Sequence, residues 1–499
     1  MSKTSKEIKA EAGARVLFLD MEAVEKQQNV VQRVSEAKKH PSNPVLRLGD
    51  LHEWDSLQAR PWESRTVIYD EEEGLFKCWY AGTDLTTDRW WATGYAVSED
   101  GVNWVKPRLG LYEYNGNTDN NICLPGWGPV LKDGAEEDPE KRYKLVWKGP
   151  RQFQDASSYK GLGARAAYSG DGMHWKEGPR IEIPEWKGGA PDIVVLLRDD
   201  QDPDPQRKYK LVWQTTGEAN KPGPEKVRTK CLAYGPDIEH FTASKANPIL
   251  NPNDGLEQEN HFLMLAPYRG WYVMLYEYGW YMPNGTGNFG SYSADIRLAV
   301  SRDGEHYQRV QPHQKVISRG RRGEWDNGFL VISDKPVIKD DTIYLYYAGN
   351  GEDWTSWPGG NIPPGFRFAS SGCVRRSQMG LATLRLDGFT CLETTDGETP
   401  GFATTCPIDS APRDVKLVVN LGDTQQRRSW LAVEVLDAGS NEPLPGMARE
   451  DCLPVHRDGI CVPVTWKDKS LADSGVSRFK LRFWLHGAVR LYAFGFEKG

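Results

Sequence analysis

The chain has 499 residues and a formal net charge of −7, with Lys/Arg and Asp/Glu interspersed. No basic field exists to attract a phosphate backbone, so nucleic acid is not expected as a partner. No run approaches 18 continuous apolar residues, so no membrane span is expected either.

The 50 Gly, 32 Pro, 19 Trp, 21 Tyr and 15 Phe predict many turns between aromatic strands, an all-β protein. Residues 1–14 are polar and lack the apolar core of a leader, so the chain reads as cytoplasmic, or as exported with a leader removed. Residues 1–40 read as an N-terminal extension and lead-in. The best stretch for an amphipathic helix is Met21 to Lys39.

From residue 41 to about 400 two motifs repeat in phase. Ser-x-Asp-Gly-x-x-aromatic occurs at Ser98–Trp104, Ser169–Trp175 and Ser301–Tyr307. A degenerate copy lies at Tyr234–Phe241 and a weaker one at Leu386–Phe389. Asp-Gly between apolar strands predicts a tight type I′ hairpin turn. The second motif is an aromatic strand: Phe76–Gly82, Tyr143–Gly149, Tyr209–Trp213, Tyr272–Tyr276 and Tyr344–Gly349. Its successive starts are 67, 66, 63 and 72 residues apart. Five units of about 65 residues, each unable to bury both faces of a sheet alone, predict a five-bladed β-propeller over 41–400. After residue 400 the alternation of Val415, Leu417 and Val419, of Leu431, Val433 and Val435, and of Phe479, Leu481 and Phe483 predicts a small antiparallel β-sandwich over 401–499.

Eight cysteines are scattered with no Cys-x-x-Cys pair, so a thiolate zinc site is not expected. Cys452 and Cys461 are the one pair close enough in sequence to suggest a local bridge.

In a propeller the innermost strands converge on one axis, and a ligand pocket forms where they begin. Aligned on the aromatic motif, four of these strands begin with a carboxylate: Glu63, Asp192, Glu259 and Asp326. The second strand, from Pro125 through Trp127 to Asp133, has none there. Glycoside hydrolysis needs two carboxyl groups flanking the sugar bond, and crowded acids in a dry pocket supply a proton donor. Asp192 and Glu259 are the first candidates for the acid–base pair, then Glu63, with Asp326 and Asp334 behind them. Glu257, Glu259 and His261 alternate, so Glu257 and His261 are weak candidates for a divalent cation, and His261 could instead orient Glu259. Sugar rings stack on aromatic planes. Trp62 and Trp127 sit beside the inner strand starts, and Trp186, Trp280, Tyr281, Trp354 and Trp357 lie outside the repeated motif. Arg60, Arg65, Arg321, Arg322, Arg375 and Arg376 could hold an anionic sugar.

With these motifs the chain resembles the five-bladed propeller superfamily of glycoside hydrolase families 32, 43, 68, 117 and 130. Ser-x-Asp-Gly-x-x-Trp, Trp325-Asp-Asn-Gly, Pro336-Val-Ile-Lys-Asp and the Asn-Pro lead-ins at Asn43 and Asn247 carry the likeness over residues 15 to 400. Leu431–Asp437 and Phe479–Phe483 resemble a sandwich appended to such enzymes. The resemblance implies a hydrolase with acids on successive inner strands, roles that Asp192 and Glu259 take by position. Two features depart from it. The Trp-x-Asn-Asp-Pro nucleophile motif of the fructan enzymes is absent, and Glu63 stands where an aspartate is expected.

The expected function is an exo-acting glycoside hydrolase on an oligo- or polysaccharide, monomeric or homo-oligomeric. It needs no cofactor, though a divalent cation is compatible with it. The alternatives are a non-catalytic carbohydrate-binding propeller, a phosphorylase using Arg321 and Arg322, or a polysaccharide lyase.

Overall fold

The computed structural model describes residues 8–84, 92–148, 164–181, 183–184, 192–218, 226–252, 256–282, 291–351, 377–410, 415–425 and 428–499. Among them there is no α-helix. Two compact units are present: residues 36–309 with 315–383, and residues 1–35 with 310–314 and 384–499.

The first unit is a succession of antiparallel meanders. Strands β6 (Gln58–Asp70), β7 (Leu75–Thr83), β8 (Ala92–Ser98) and β9 (Ile122–Leu124) form the first. The second is β10 (Val130–Lys132), β11 (Tyr143–Trp147), β12 (Arg165–Ser169) and β13 (Lys176–Arg180). The third is β14 (Asp192–Arg198), β15 (Tyr209–Glu218), β16 (Lys226–Gly235) and β17 (Thr242–Ala243). The fourth is β18 (Leu263–Tyr268), β19 (Trp271–Met282), β20 (Ser291–Ser301) and β21 (Gln308–Arg309). In the fifth, β22 (Phe329–Ile332) and β23 (Val337–Lys339) both pair with β24 (Thr342–Asn350), which precedes β25 (Ser377–Arg385). Its outer strand comes from the chain start, where β5 (Lys38–Lys39) sets Lys39 opposite Ala382. The innermost strands pack in a ring, β6 on β10, β10 on β14, β14 on β18, β18 on β22 and β22 on β6. This is the propeller arrangement, in which each sheet buries its faces on its neighbours.

Charged side chains inside the aromatic motif explain how neighbouring sheets lock. Each inner strand of the first three meanders ends on a buried aspartate. Asp70 accepts from Lys77 of its own second strand (2.8 Å), and from Lys132 (2.6 Å) and the Tyr143 hydroxyl (3.0 Å) of the next meander. Asp133 repeats this with Lys144 (2.9 Å), Arg198 (2.6 Å) and the Tyr209 hydroxyl. Asp199 repeats it with Lys210 and the Tyr272 hydroxyl (2.7 Å). Burial opposes the charge on Asp133, but Tyr209, Lys144 and Arg198 win and hold its carboxyl at about 2. A depressed folded-state value stabilises the fold above the unfolded carboxylate value, near 4, and that stability is lost as pH falls toward about 2. Asp133→Asn should therefore cost about 3 kcal/mol at pH 7, because buried Lys144 and half-buried Arg198 lose their shared buried counter-ion and keep only Glu136 and Asp200. Urea melts at pH 7 and pH 3 check this: the variant should lose less on acidification than the parent, and equal losses would contradict it.

The repeated Ser-x-Asp-Gly segment follows the third strand of its meander but is not a type I′ turn. Only the glycine has positive φ, 75° at Gly101, 80° at Gly172 and 76° at Gly304. The aspartate instead caps the turn: Asp100 Oδ1 accepts from the Val102 and Asn103 amides at 2.8 Å each. Asp171 and Asp303 do the same for the amides two and three residues on.

The second unit is a sandwich of two sheets that draws on both ends of the chain. Its N-terminal strands are β1 (Ile8–Ala10), β2 (Arg15–Leu17), β3 (Val24–Gln28) and β4 (Val30–Val34). Its later strands are β26 (Thr390–Thr394), β27 (Gly401–Thr405), β28 (Ile408–Ser410), β29 (Val415–Gly422), β30 (Trp430–Asp437), β31 (Gly459–Pro463), β32 (Arg478–His486) and β33 (Arg490–Lys498). One sheet runs β1-β28-β32-β27-β3 with β30 on β32, the other β31-β29-β33-β26-β4 with β2 on β33. Leu417, Val419, Leu431, Val433, Phe483, Phe494 and Trp466 fill the space between them.

Three expectations change here. The boundaries 1–40, 41–400 and 401–499 give way, because residues 1–35 and 384–400 belong to the sandwich, and Leu386–Phe389 leads into its strand β26. The stretch Met21–Lys39 is strand, not helix: Asn29 takes φ 53°, which breaks a helix and sends β3 and β4 into different sheets. Long-range pairing outweighs the local preference. Cys452 and Cys461 are free thiols. Cys452 lies in the core beneath the Val433 amide (3.2 Å), while Cys461 is exposed beside Arg15.

Candidate active site

The first unit's inner strands all begin at one end of the ring, so the residue following the last aromatic of the repeated motif in each second strand lies near that rim. These residues are Ala81, Lys148, Gln214, Glu277 and Ala348. Their neighbours on the inner strands are Arg60, Trp127, Asp192, Phe262 and Val331. Three consecutive meanders thus carry a polar side chain, Lys148, Gln214 or Glu277, at one level.

Asp192 opens β14, and its side chain is 48% exposed. Gln214 Nε2 donates to its Oδ2 (3.2 Å), and Lys148 Nζ stands 3.8 Å from its Oδ1. Gln214 is in turn the sheet partner of Lys230 on β16. Two strand spacings, roughly 10 Å, separate the Asp192 and Lys230 backbones.

Glu259 is opposite Gly279, two rungs farther out than Asp192. It is buried, and its carboxylate accepts from Arg228 through the amide (3.1 Å) and through Nη1 (3.0 Å). The residues after it are held from both sides. Lys230 Nζ donates to the Asn260 carbonyl (2.8 Å) and to its side-chain oxygen. Glu277 accepts from the amides of His261 (3.3 Å) and Phe262 (3.0 Å), and from the Tyr292 hydroxyl (2.9 Å). Gly279 makes room for this hydroxyl, since a Cβ there would overlap the Tyr292 ring.

Lys230 and Glu277 are fully buried, and burial decides both protonation equilibria. It drives Lys230 down to about 7 despite the attraction of Glu259 and Glu277, with Arg228 and Arg65 adding to the depression. It drives Glu277 up to about 7 against the Tyr292 hydroxyl, Lys230 and Arg65.

Beneath the rim Arg65 is fully buried, its guanidinium 4.4 Å from the Phe262 ring centre. It donates to the carbonyls of Val194 and Leu263, so it ties the first meander to the third and fourth. Asp334 lies close by, raised by burial against Lys335, Arg65 and the Thr66 hydroxyl, which donates at 3.0 Å.

The acids that were aligned in sequence do not share one rung. Glu63 falls in the four-residue bulge between Arg60 and Arg65, and the Trp62 and Glu63 side chains lie outside the described residues. Asp326 precedes β22 and duplicates Asp55 before β6. Each aspartate is clamped by a lysine at 2.6 Å (Lys39 or Lys106) and a tyrosine hydroxyl, Tyr347 at 2.9 Å or Tyr80 at 2.7 Å. Trp325 and Trp54 stack on the same tyrosines, each at 5.7 Å. Asp326 is therefore a buried clamp. Arg60 is buried and donates to Asn350 (2.9 Å) and Gln58 (3.0 Å). Trp127 is half-buried on the sheet edge opposite Lys148. Trp280 is half-buried under the Arg319 guanidinium, 4.9 Å from its ring.

Glu257 gives its carboxylate to Arg309 (2.8 Å), and the His261 ring meets Tyr292 edge-on at 4.8 Å. Among the described residues no three His, Cys, Asp or Glu side chains converge as cation ligands. Arg321 and Arg322 are exposed in the turn before β22. Trp186, Trp354, Trp357, Arg375, Arg376 and the Tyr281 side chain lie outside the described residues. Sequence reasoning passed over Lys148, Gln214, Lys230 and Glu277. The signal for three of them was a polar residue directly after Trp147, Trp213 and Tyr276, where a buried strand would continue apolar.

No family model matches the chain, and no curated protein matches it. It is similar to solved structures at low identity. One comes from work on the family 130 mannoside phosphorylases containing glycoside hydrolases that target β-1,2 mannosidic linkages in Candida mannan. It is 15% identical, with TM-score 0.44, covering 70% of this chain and 93% of that one. A family 117 glycoside hydrolase from the marine bacterium Zobellia galactanivorans is 14% identical, with TM-score 0.39, covering 71% and 90%. An N-acetylgalactosamine deacetylase from F. plautii, in complex with blood group B trisaccharide, is 15% identical, with TM-score 0.42, covering 72% and 97%.

Proposed function

We propose that this chain is a glycoside hydrolase whose chemistry is done at the rim of the first unit, with Asp192 and Glu259 as the paired carboxyl groups. The observation that carries the reading is the rim itself. A half-exposed carboxylate, Asp192, stands on the same sheet as Lys230, whose ammonium holds the residue after the buried carboxylate Glu259. Cleavage of a glycosidic bond needs one such group to protonate the leaving oxygen and another to act as base or nucleophile. Trp127, half-buried on the sheet edge opposite Lys148, offers a ring for sugar to stack on at the same end of the meanders. Exo-action and a third role for Glu63 belong to this proposal.

The test is release of sugar from a panel of plant, algal and bacterial oligosaccharides, with and without inorganic phosphate. Turnover in the absence of phosphate supports hydrolysis. Turnover only in its presence supports a phosphorylase instead. Binding on a glycan array without turnover supports a non-catalytic propeller.

A further inference from the structure

We propose that Lys230 and Glu277 form a positioning pair that fixes Glu259 from neighbouring meanders. The proposal rests on the catalytic reading of Glu259. Lys230 projects from the third strand of the third meander, Glu277 from the second strand of the fourth. Between them they grip three successive backbone positions: Asn260 through its carbonyl, His261 and Phe262 through their amides. Glu259 itself is bound at both ends, its carboxylate to Arg228 and its carbonyl to the Gly279 amide (3.0 Å). Glu277 and Gly279 lie two residues apart on one strand, so the peptide after Glu259 follows any shift of β19.

Nothing in strand packing requires this arrangement. A buried lysine and a buried glutamate are costly unless their hydrogen bonds are met, and an apolar pair of similar volume would serve the core as well or better. What the charged pair supplies is direction: donors from one sheet and acceptors from the next, closing on the segment that carries Glu259. Catalytic groups held within fractions of an ångström need this kind of support, and a displacement of about 1 Å can cost up to about 10²-fold in rate. Tyr292 and Gly279 complete the support, the hydroxyl on Glu277 and the missing side chain giving it room. The other charged groups facing the pair are Arg228, Arg65 and Glu259 itself.

The experiment uses the full chain with Glu277→Gln, Glu277→Ala and Lys230→Met, and Glu259→Gln as reference, assayed on p-nitrophenyl glycosides. Amide hydrogen exchange over residues 256–262 is followed in parallel. Glu277→Ala and Lys230→Met should lose more than about tenfold in kcat with KM within threefold. Glu277→Gln keeps an acceptor for the Phe262 amide and should recover part of that loss. The His261 and Phe262 amides should exchange at least tenfold faster in Glu277→Ala. Unchanged exchange at these amides overturns the proposal, whatever the activity. So does a Glu277→Ala enzyme with parental kcat when Glu259→Gln is inactive. Full turnover in Glu259→Gln rejects the catalytic reading of Glu259, and the exchange data then judge the grip alone.

Discussion

Sugar release should fall by more than about 10² in Asp192→Asn and in Glu259→Gln, while Asp192→Asn melts within about 2 °C of the parent. The size follows from the loss of a general acid or base, which contributes 10²–10⁴ in rate. Both changes keep shape and remove one charge. At Asp192 the fold should not notice, because the side chain is half-exposed and its contacts are a 3.2 Å bond from Gln214 and a distant lysine. At Glu259 the amide oxygen of Gln still accepts from the Arg228 amide, but the ion pair with Arg228 Nη1 (3.0 Å) is lost, so this variant should melt lower than the parent while remaining folded. A drop in kcat with KM little changed places the lost interaction in the transition state. Full activity in both variants would sink the assignment and move the chemistry elsewhere on the rim.

Arg65→Met should destabilise the first unit by about 3–5 kcal/mol, read as a lower urea midpoint. Methionine fills similar volume and packs on the Phe262 ring as the guanidinium does, so the loss isolates charge and hydrogen bonds rather than a cavity. The carbonyls of Val194 and Leu263 lose a donor in the dry centre of the ring, and Asp334 and Glu277 lose a neighbouring cation. Adding Asp334→Asn should restore part of the stability, since one of the acids that faced Arg65 is then neutral. A single variant as stable as the parent would mean that Arg65 does not tie the meanders together.

Much of the first unit was legible in the chain itself. Alternating aromatic and β-branched residues mark the second strand of every meander, and Asp-Gly marks the end of most third strands, because both depend on backbone geometry within a few residues. The turn type was misjudged: Asp100, Asp171 and Asp303 cap through their side chains, and only the glycine needs positive φ. Met21–Lys39 was the best stretch for an amphipathic helix, yet β3 and β4 find partners more than 350 residues away, Gln28 opposite Phe402 and Val34 opposite Thr390. Such pairing leaves no local trace.

Sequence spacing could not set the rungs of the inner strands. Glu63, Asp192, Glu259 and Asp326 line up by counting, but a four-residue bulge in β6 and a bulge in β14 shift the count. Asp326 became one of two matched clamps with Asp55, a likeness carried by the repeated Glu-Trp-Asp at residues 53–55 and 324–326.

What the sequence alone determined is the all-β class, the repeated unit, its aromatic strands and the carboxylates near the inner strand starts, each written in short-range periodicity and turn chemistry. What only the tertiary structure decided is which of those groups meet and in what protonation state. Glu277 and Lys230 are ordinary charged residues in the chain. They titrate near neutrality because neighbouring sheets strip water from them, and desolvation belongs to the surroundings a residue acquires on folding.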